Sequence, residues 1–338
     1  MVAPVSLDTE KLLKPQTDKP GDGVVLSSLP SLISLSTQGS RLAVPQRHVR
    51  AQQSGQRLSR LKGRGMEFDE VRPYMPGDDV RNLDWRVTAR TGKAHTKLFR
   101  EERERPILVS VDYRSTMFFA TKGVFKSVQA ARLASLLAWM GNRDGDRVGG
   151  QVFTDQNLHD YKPQKGRHSV LRLLNDLAEQ STPPWLDQEL DERLNQPQAN
   201  NNSGENITDK PPLLHAYQRL ARHARPGNMI FLISDFRDWD NATRLQITRM
   251  ARHSDVVMIF IYDPLETSLP SGKRFKFTDG IRQAVVDTTS QAATEQYEQT
   301  FLNRKSSVEQ YARSKKLLFL TCSTSDNPFT VLMANLSR

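Results

Sequence analysis

The sequence predicts an α/β protein with a doubly wound, mostly parallel sheet of the Rossmann-like type, preceded by a charged, β-rich extension. Short runs of β-branched and apolar residues alternate with longer segments in which apolar residues recur every three or four positions. The first pattern is typical of strands buried on both faces. The second is typical of helices that pack one face on a core.

The regular alternation begins at residue 106. Strands are predicted at 107–111, 147–153, 229–234, 256–262 and 316–322, with a hairpin at 273–287. Helices are predicted over 241–253 and 289–314 and from three apolar stripes: Leu133, Leu136, Leu137 and Met140; Val170, Leu173, Leu174 and Leu177; and Leu213, Tyr217 and Leu220.

Composition shifts divide the chain into regions. The predicted regions are a flexible lead-in at 1–40 with a short helix near 28–35, a basic and charged region at 41–105, the α/β domain at 106–322 with a mobile polar loop at 195–210, and a C-terminal tail at 323–338.

Bulk composition excludes several classes of protein. The 338 residues contain one cysteine, Cys322, which ends an apolar run and is predicted to be a buried, inert thiol. No run approaches the roughly 18–20 apolar residues that a membrane span requires. No secretory signal is evident at the N-terminus, so we expect a cytoplasmic protein.

Positive charge is concentrated in one region. The chain carries a net charge of +10, and residues 41–105 hold sixteen Lys and Arg against nine Asp and Glu. All of this excess lies in residues 41–64. It favours an anionic partner, namely nucleic acid, an acidic protein face or a membrane surface, although a solvated basic face would look the same.

Two core strands are followed by aspartate, Asp112 and Asp235. If the strands are neighbours, both carboxylates face one crevice and could bind a divalent cation, or each could cap the turn that follows. The sequence lacks a phosphate-binding loop, a Gly-x-Ser-x-Gly elbow and a His-Glu-x-x-His motif. These absences favour a binding protein over an enzyme.

The segment from 65 to 105 interleaves opposite charges with apolar residues. We predict a folded network of ion pairs, although a hairpin with a charged exterior is the alternative. The residues that distinguish this segment are Glu67, Arg72, Tyr74, Gly77, Asp78, Arg81, Asp84, Trp85 and Arg90.

This segment closely resembles the domain of unknown function 58 family. The resemblance covers residues 57–322 and rests on Gly65-Met66-Glu67-Phe68, Arg72-Pro73-Tyr74, Pro76-Gly77-Asp78, Arg81, Asp84-Trp85, Ala89-Arg90-Thr91-Gly92 and Glu101-Glu102. It implies a von Willebrand factor A-like domain that begins near residues 109–117. It also implies partners, a MoxR-type AAA ATPase and other von Willebrand A proteins, and an adaptor role in assembling or maturing protein complexes.

The resemblance further implies Mg²⁺ ligands at Asp112, Thr116 and Asp235, with Thr208 as the candidate loop threonine. Arg114 departs from the family pattern, because a guanidinium stands where a hydroxyl ligand is expected. Such a side chain is expected to repel the ion and could pair with Asp112 or Asp235. The implied metal site is therefore degenerate.

The sequence is compatible with three functions. The first is a non-enzymatic adaptor that acts with a MoxR-type ATPase. The second is nucleic-acid binding through the basic 41–105 region. The third is a Mg²⁺-dependent phosphoesterase that uses Asp112 and Asp235 with Asp84 or Glu67.

Overall fold

The structure is a computed structural model that describes residues 22–43, 66–101, 105–183, 212–269, 274–278, 283–287 and 291–336. The chain forms two compact units. The signature unit comprises Arg50–Glu104, and the sheet unit comprises Met1–Val49 with Arg105–Arg338.

Helices and strands occur in both units and are numbered along the chain. The described helices are α1 Leu29–Ser34, α2 Ser36–Gly39, α3 Trp85–Thr91, α4 Lys126–Arg143, α5 Arg167–Glu179, α6 Pro212–His223, α7 Asn241–Ala251, α8 Pro264–Thr267, α9 Gln291–Ser314 and α10 Pro328–Leu336. The described strands are β1 Met66–Pro73, β2 His95–Glu101, β3 Ile107–Asp112, β4 Val148–Phe153, β5 Leu158–Gln164, β6 Met229–Ser234, β7 Asp255–Tyr262, β8 Arg274–Thr278, β9 Gln283–Asp287 and β10 Leu318–Ser323.

Six strands form the central sheet in the order β10-β7-β6-β3-β4-β5. All pairings are parallel except that of the edge strand β5, which runs antiparallel to β4. Alternate residues of β3 face opposite sides, so that Val109 packs with α1, α4, α5 and α10 while Leu108 packs with α6, α7 and α9. The doubly wound, mostly parallel α/β fold is confirmed. The predicted hairpin is confirmed as β8 and β9.

The predicted flexible lead-in is corrected for residues 22–40, which fold onto α4. The predicted short helix is α1, whose first turn is capped by the Ser28 hydroxyl. Leu32 is buried, and its carbonyl accepts hydrogen bonds from Ser135 Oγ and Trp139 Nε1. A few buried leucines among many serines are too sparse to give a readable period. Residues 1–21 lie outside the described part.

The predicted C-terminal tail is also corrected. Residues 328–336 form α10, and Leu332 and Leu336 are buried in the same hydrophobic cluster as α4. The predicted polar loop at 195–210 and most of the basic segment 41–64 lie outside the described residues. Among the described helices, none is long and apolar enough to cross a membrane.

The signature unit is built on an antiparallel pair, β1 and β2. The connection between them contains a turn at Gly77, a 3₁₀ turn at Val80–Asn82 and the helix α3. Gly92 ends α3 with a φ of 70°, the left-handed conformation that glycine adopts without strain.

Candidate functional site

A crevice lies at the carboxyl edge of the central sheet, where the strand order reverses. From β3 the chain moves to β4 on one side and later returns to β6 on the other, which is the position at which open α/β sheets bind ligands. Asp112 ends β3, and Asp235 follows β6. Both aspartates are fully buried, as is Asp263, which follows β7. The predicted convergence of Asp112 and Asp235 is therefore present.

Arg114 fills the space between these carboxylates. Its Nε lies 3.0 and 3.2 Å from the two carboxylate oxygens of Asp112, and its Nη2 lies 2.8 Å from Asp112 Oδ2. Nη2 also lies 3.6 Å from Asp235 Oδ1, while Nη1 donates to Asp238 Oδ2 at 2.7 Å. The guanidinium is buried and pairs with both strand-end aspartates.

Lys126 is a second buried cation in the crevice. Its Nζ lies 3.0 Å from Asp235 Oδ2 and 3.3 Å from Glu266 Oε1. Lys126 is the first residue of α4, where the helix macrodipole disfavours a positive charge. The two carboxylates therefore account for its position.

Arg237 and Arg304 complete the group of charges. Arg237 donates from Nε to Asp235 Oδ2 at 3.2 Å and from Nη2 to Glu266 Oε1 at 3.0 Å. Arg304 Nη2 lies 3.6 Å from the same Glu266 oxygen. Each of the carboxylates Asp112, Asp235 and Glu266 thus faces at least one cation, as the burial of charge requires.

The surrounding charges shift the ionisation of the crevice. Burial alone would raise the pKa of Asp235, but the charges of Lys126, Arg237 and Arg114 outweigh burial and hold this pKa well below its ordinary value. Burial likewise opposes ionisation of Arg114, yet Asp112 and Asp235 raise its pKa above the usual range. Asp235 and Arg114 are therefore both ionised in the crevice.

These residues do not fit Mg²⁺, although Asp112, Thr116 and Asp235 offer oxygen ligands of the kind that ion prefers. The carboxylate oxygens that would face the ion are engaged by Arg114 and Lys126. Among the residues that the structure describes, no group of three or more His, Cys, Asp or Glu side chains is arranged to hold a metal. Thr208 lies outside them.

Sequence reasoning missed Lys126, Glu266 and Arg237. One signal for Lys126 was present, because Lys126 continues the apolar stripe of α4 toward its N-terminus. Glu266 lies three residues after Asp263 in a capping box that opens α8. The sequence contains nothing comparable that places Arg237 in this network.

The signature unit uses its acidic residues mainly to bind backbone amides. Asp78 accepts from Met75 N and pairs with Arg72 at 2.7 Å. Asp84 caps α3 by accepting from Arg86 N and Val87 N, and the Val87 hydrogen bond, with a smaller contribution from Lys97, lowers the pKa of Asp84. The predicted ion-pair network is thus limited here to Arg72–Asp78 and Lys97–Asp84 among the described side chains.

The other predicted signature residues lie around this framework. Glu67 lies in β1, with its side chain outside the described part. Tyr74 follows β1, and its amide donates to Ala94 O at 2.9 Å. Gly77 has a φ of 108°, which allows the turn. Arg81 and Arg90 are exposed.

Large apolar side chains are exposed on this unit. Between residues 75 and 85, Met75 is 61% exposed, Val80 58% and Trp85 68%. We call the signature surface the exposed set Met75, Val80, Arg81, Trp85, Arg86 and Arg90.

A separate groove of about 470 Å³ lies between α1 and α5. Its buried carboxyl, Asp176, is bonded at 2.7 Å to His159 Nδ1, and burial raises the pKa of Asp176. Acidic and basic side chains both line this groove, so its charges favour no single class of ligand.

The fold and the crevice define an α/β protein whose strand-end carboxylates are neutralised by its own basic side chains. The chain belongs to the family described as Protein of unknown function DUF58, which matches residues 70–307. This match confirms the resemblance inferred from the signature segment.

Uncharacterized proteins of Mycobacterium tuberculosis and Mycobacterium bovis are similar to this chain. Each is 29% identical over 216 residues, which is 64% of this chain and 61% of the relative. The matched region thus spans less than two thirds of the length of these relatives.

Proposed function

We propose that this protein is a non-enzymatic, protein-binding adaptor that acts with a MoxR-type AAA ATPase in the assembly or maturation of a protein complex. The observation that carries this function is the signature surface, where three large apolar side chains are more than half exposed among arginines. Exposed apolar groups of this size on one short stretch favour a protein partner.

The chemistry of the signature surface defines the partner. Tryptophan and arginine are the residue types that most often dominate binding energy at protein interfaces. Arg81, Arg86 and Arg90 are the exposed cations of this surface, while the nearby carboxylates of Asp78 and Asp84 accept hydrogen bonds from backbone amides. A complementary partner presents an apolar pocket with an acidic rim.

The family resemblance supports the class of partner. We assign the sheet unit a von Willebrand A-like scaffold role, with other von Willebrand A proteins as further partners. Because such an ATPase consumes cytoplasmic ATP, this function also places the protein in the cytoplasm.

The alternatives receive less support from the described residues. Residues 66–101 contain seven Lys and Arg and seven Asp and Glu, so nucleic-acid binding would depend on the basic residues at 41–64, most of which lie outside the described part. A phosphoesterase would need Asp112 and Asp235 free to hold Mg²⁺, and both are paired with basic side chains.

Affinity purification tests this function. The tagged full chain is expressed in a cell that produces a MoxR-type ATPase, and bound proteins are identified by mass spectrometry in a buffer with Mg²⁺ and ATP. We expect the ATPase to be enriched with the wild-type chain and with Leu302→Ala, a control that removes an exposed leucine from the sheet unit.

The same purification with Met75→Ala/Trp85→Ala should lose most of the ATPase. Recovery of other proteins without the ATPase, or equal recovery with the double variant, would contradict the proposed function.

A further inference from the structure

We propose that Arg114 and Lys126 are tethered cations that perform, in the crevice of the sheet unit, the structural work of a divalent metal ion. The crevice is built from oxygen atoms. Asp112 and Asp235 enter it from neighbouring parallel strands, and Ser234 Oγ donates to Asp112 Oδ2 at 2.6 Å. Carboxylates and hydroxyls at one sheet edge are ligands that Mg²⁺ and Mn²⁺ prefer.

Two hydroxyls of this crevice region have no hydrogen-bond partner among the described residues. Thr116 Oγ1 and the Tyr217 hydroxyl are both buried and unpaired. Burial, together with the charges of Asp112 and Asp235, raises the pKa of Tyr217 well above its ordinary value, so this hydroxyl stays protonated. Buried hydroxyls are normally satisfied, so this region provides more oxygen atoms than Arg114 and Lys126 contact.

The two cations connect the segments that a metal ion would connect. Arg114 follows β3, and besides Asp112 it binds the Arg237 carbonyl and Asp238, which follow β6. Lys126 joins the start of α4 to Asp235 after β6 and to Glu266 in α8.

The loop after β6 requires such support. Phe236 adopts a φ of 49°, which is unfavourable for a bulky side chain, and Asp238 adopts a φ of 62°, a conformation that aspartate tolerates better. The ion pairs of Asp235 and Asp238 with Arg114 hold this loop against its strain. A cation that is part of the chain cannot dissociate, so the crevice keeps its conformation at any divalent-ion concentration.

Thermal unfolding of the full chain with Mn²⁺ or with EDTA tests this inference. The wild-type melting temperature should be the same in both. Arg114→Ser removes the guanidinium and leaves the oxygen ligands, so its melting temperature should fall in EDTA. It should then rise by roughly 5–10 °C when Mn²⁺ is present at about a hundred times its dissociation constant.

Arg313→Ser is the matched control. It removes an exposed arginine that pairs within α9, so it should change neither the melting temperature nor the response to Mn²⁺. The inference is contradicted if Arg114→Ser shows no Mn²⁺-dependent rise, or if the wild-type protein shows a rise of the same size.

If Arg114→Ser does not fold with or without Mn²⁺, two further variants test whether the positive charge of Arg114 stabilises the crevice. Arg114→Lys retains the positive charge and should melt well above Arg114→Gln, which retains only part of the shape. Equal melting temperatures for these two variants would show that a positive charge at position 114 does not stabilise the crevice, which would contradict the inference.

Discussion

Replacing Lys126 with methionine is expected to lower the free energy of unfolding by about 3–5 kcal/mol, because breaking a buried ion pair leaves its buried partners with less compensating charge. Methionine retains most of the volume of the buried lysine side chain, so the loss of stability reflects mainly the removal of the positive charge. Asp235 and Glu266 would remain buried with fewer cations. Urea unfolding at neutral pH measures the change, and Lys122→Met, at an exposed position, should change it by less than about 0.5 kcal/mol.

A double-mutant cycle separates charge from packing in this prediction. Glu266→Gln combined with Lys126→Met removes both members of one ion pair. The double variant should be less destabilised than the sum of the single variants, because each single variant leaves a buried charge with one partner fewer. Strictly additive losses would show that Lys126 and Glu266 do not interact.

Replacing Trp85 with alanine is expected to weaken binding to the purified MoxR-type ATPase by about 30-fold or more, which corresponds to the roughly 2 kcal/mol of an interface hot spot. The side chain is largely exposed in the free protein, so its removal should leave the fold of the signature unit unchanged. Isothermal titration calorimetry with Mg²⁺ and ATP present measures the affinity, and far-ultraviolet circular dichroism checks the fold.

Leu302→Ala provides the comparison, because Leu302 is an exposed apolar residue of the sheet unit. Its affinity for the ATPase should equal that of the wild-type protein. If Trp85→Ala and Leu302→Ala bind as tightly as the wild type, the signature surface is not the ATPase-binding surface.

The sheet could be predicted because its central strands are buried on both faces. Continuous apolar runs such as those of β3 and β6 are typical of buried parallel strands when helical periods separate them. The helices α1 and α10 were not predicted as parts of the core. Each buries only a few residues against its neighbours, and so short a contact leaves no clear period in the sequence.

The convergence of Asp112 and Asp235 could be predicted from the rule that parallel strands present their carboxyl ends at one edge. The sequence also suggested that Arg114 could pair with one of these carboxylates, without deciding which. The role of Lys126 was not predicted, because lysine is ordinarily a surface residue and the only contrary signal was its position in the apolar stripe of α4. Its partner Glu266 lies 140 residues away in the chain, and only the fold brings the two together.

The central claim is that the crevice holds the protein's own cations in place of a metal ion. Anomalous X-ray diffraction from crystals of the wild-type protein soaked in Mn²⁺ tests this claim most directly. We predict no Mn²⁺ peak between Asp112 and Asp235, with the Arg114 guanidinium within hydrogen-bonding distance of Asp112. A Mn²⁺ ion bound by both aspartates, with the guanidinium turned out of the crevice, would contradict the claim.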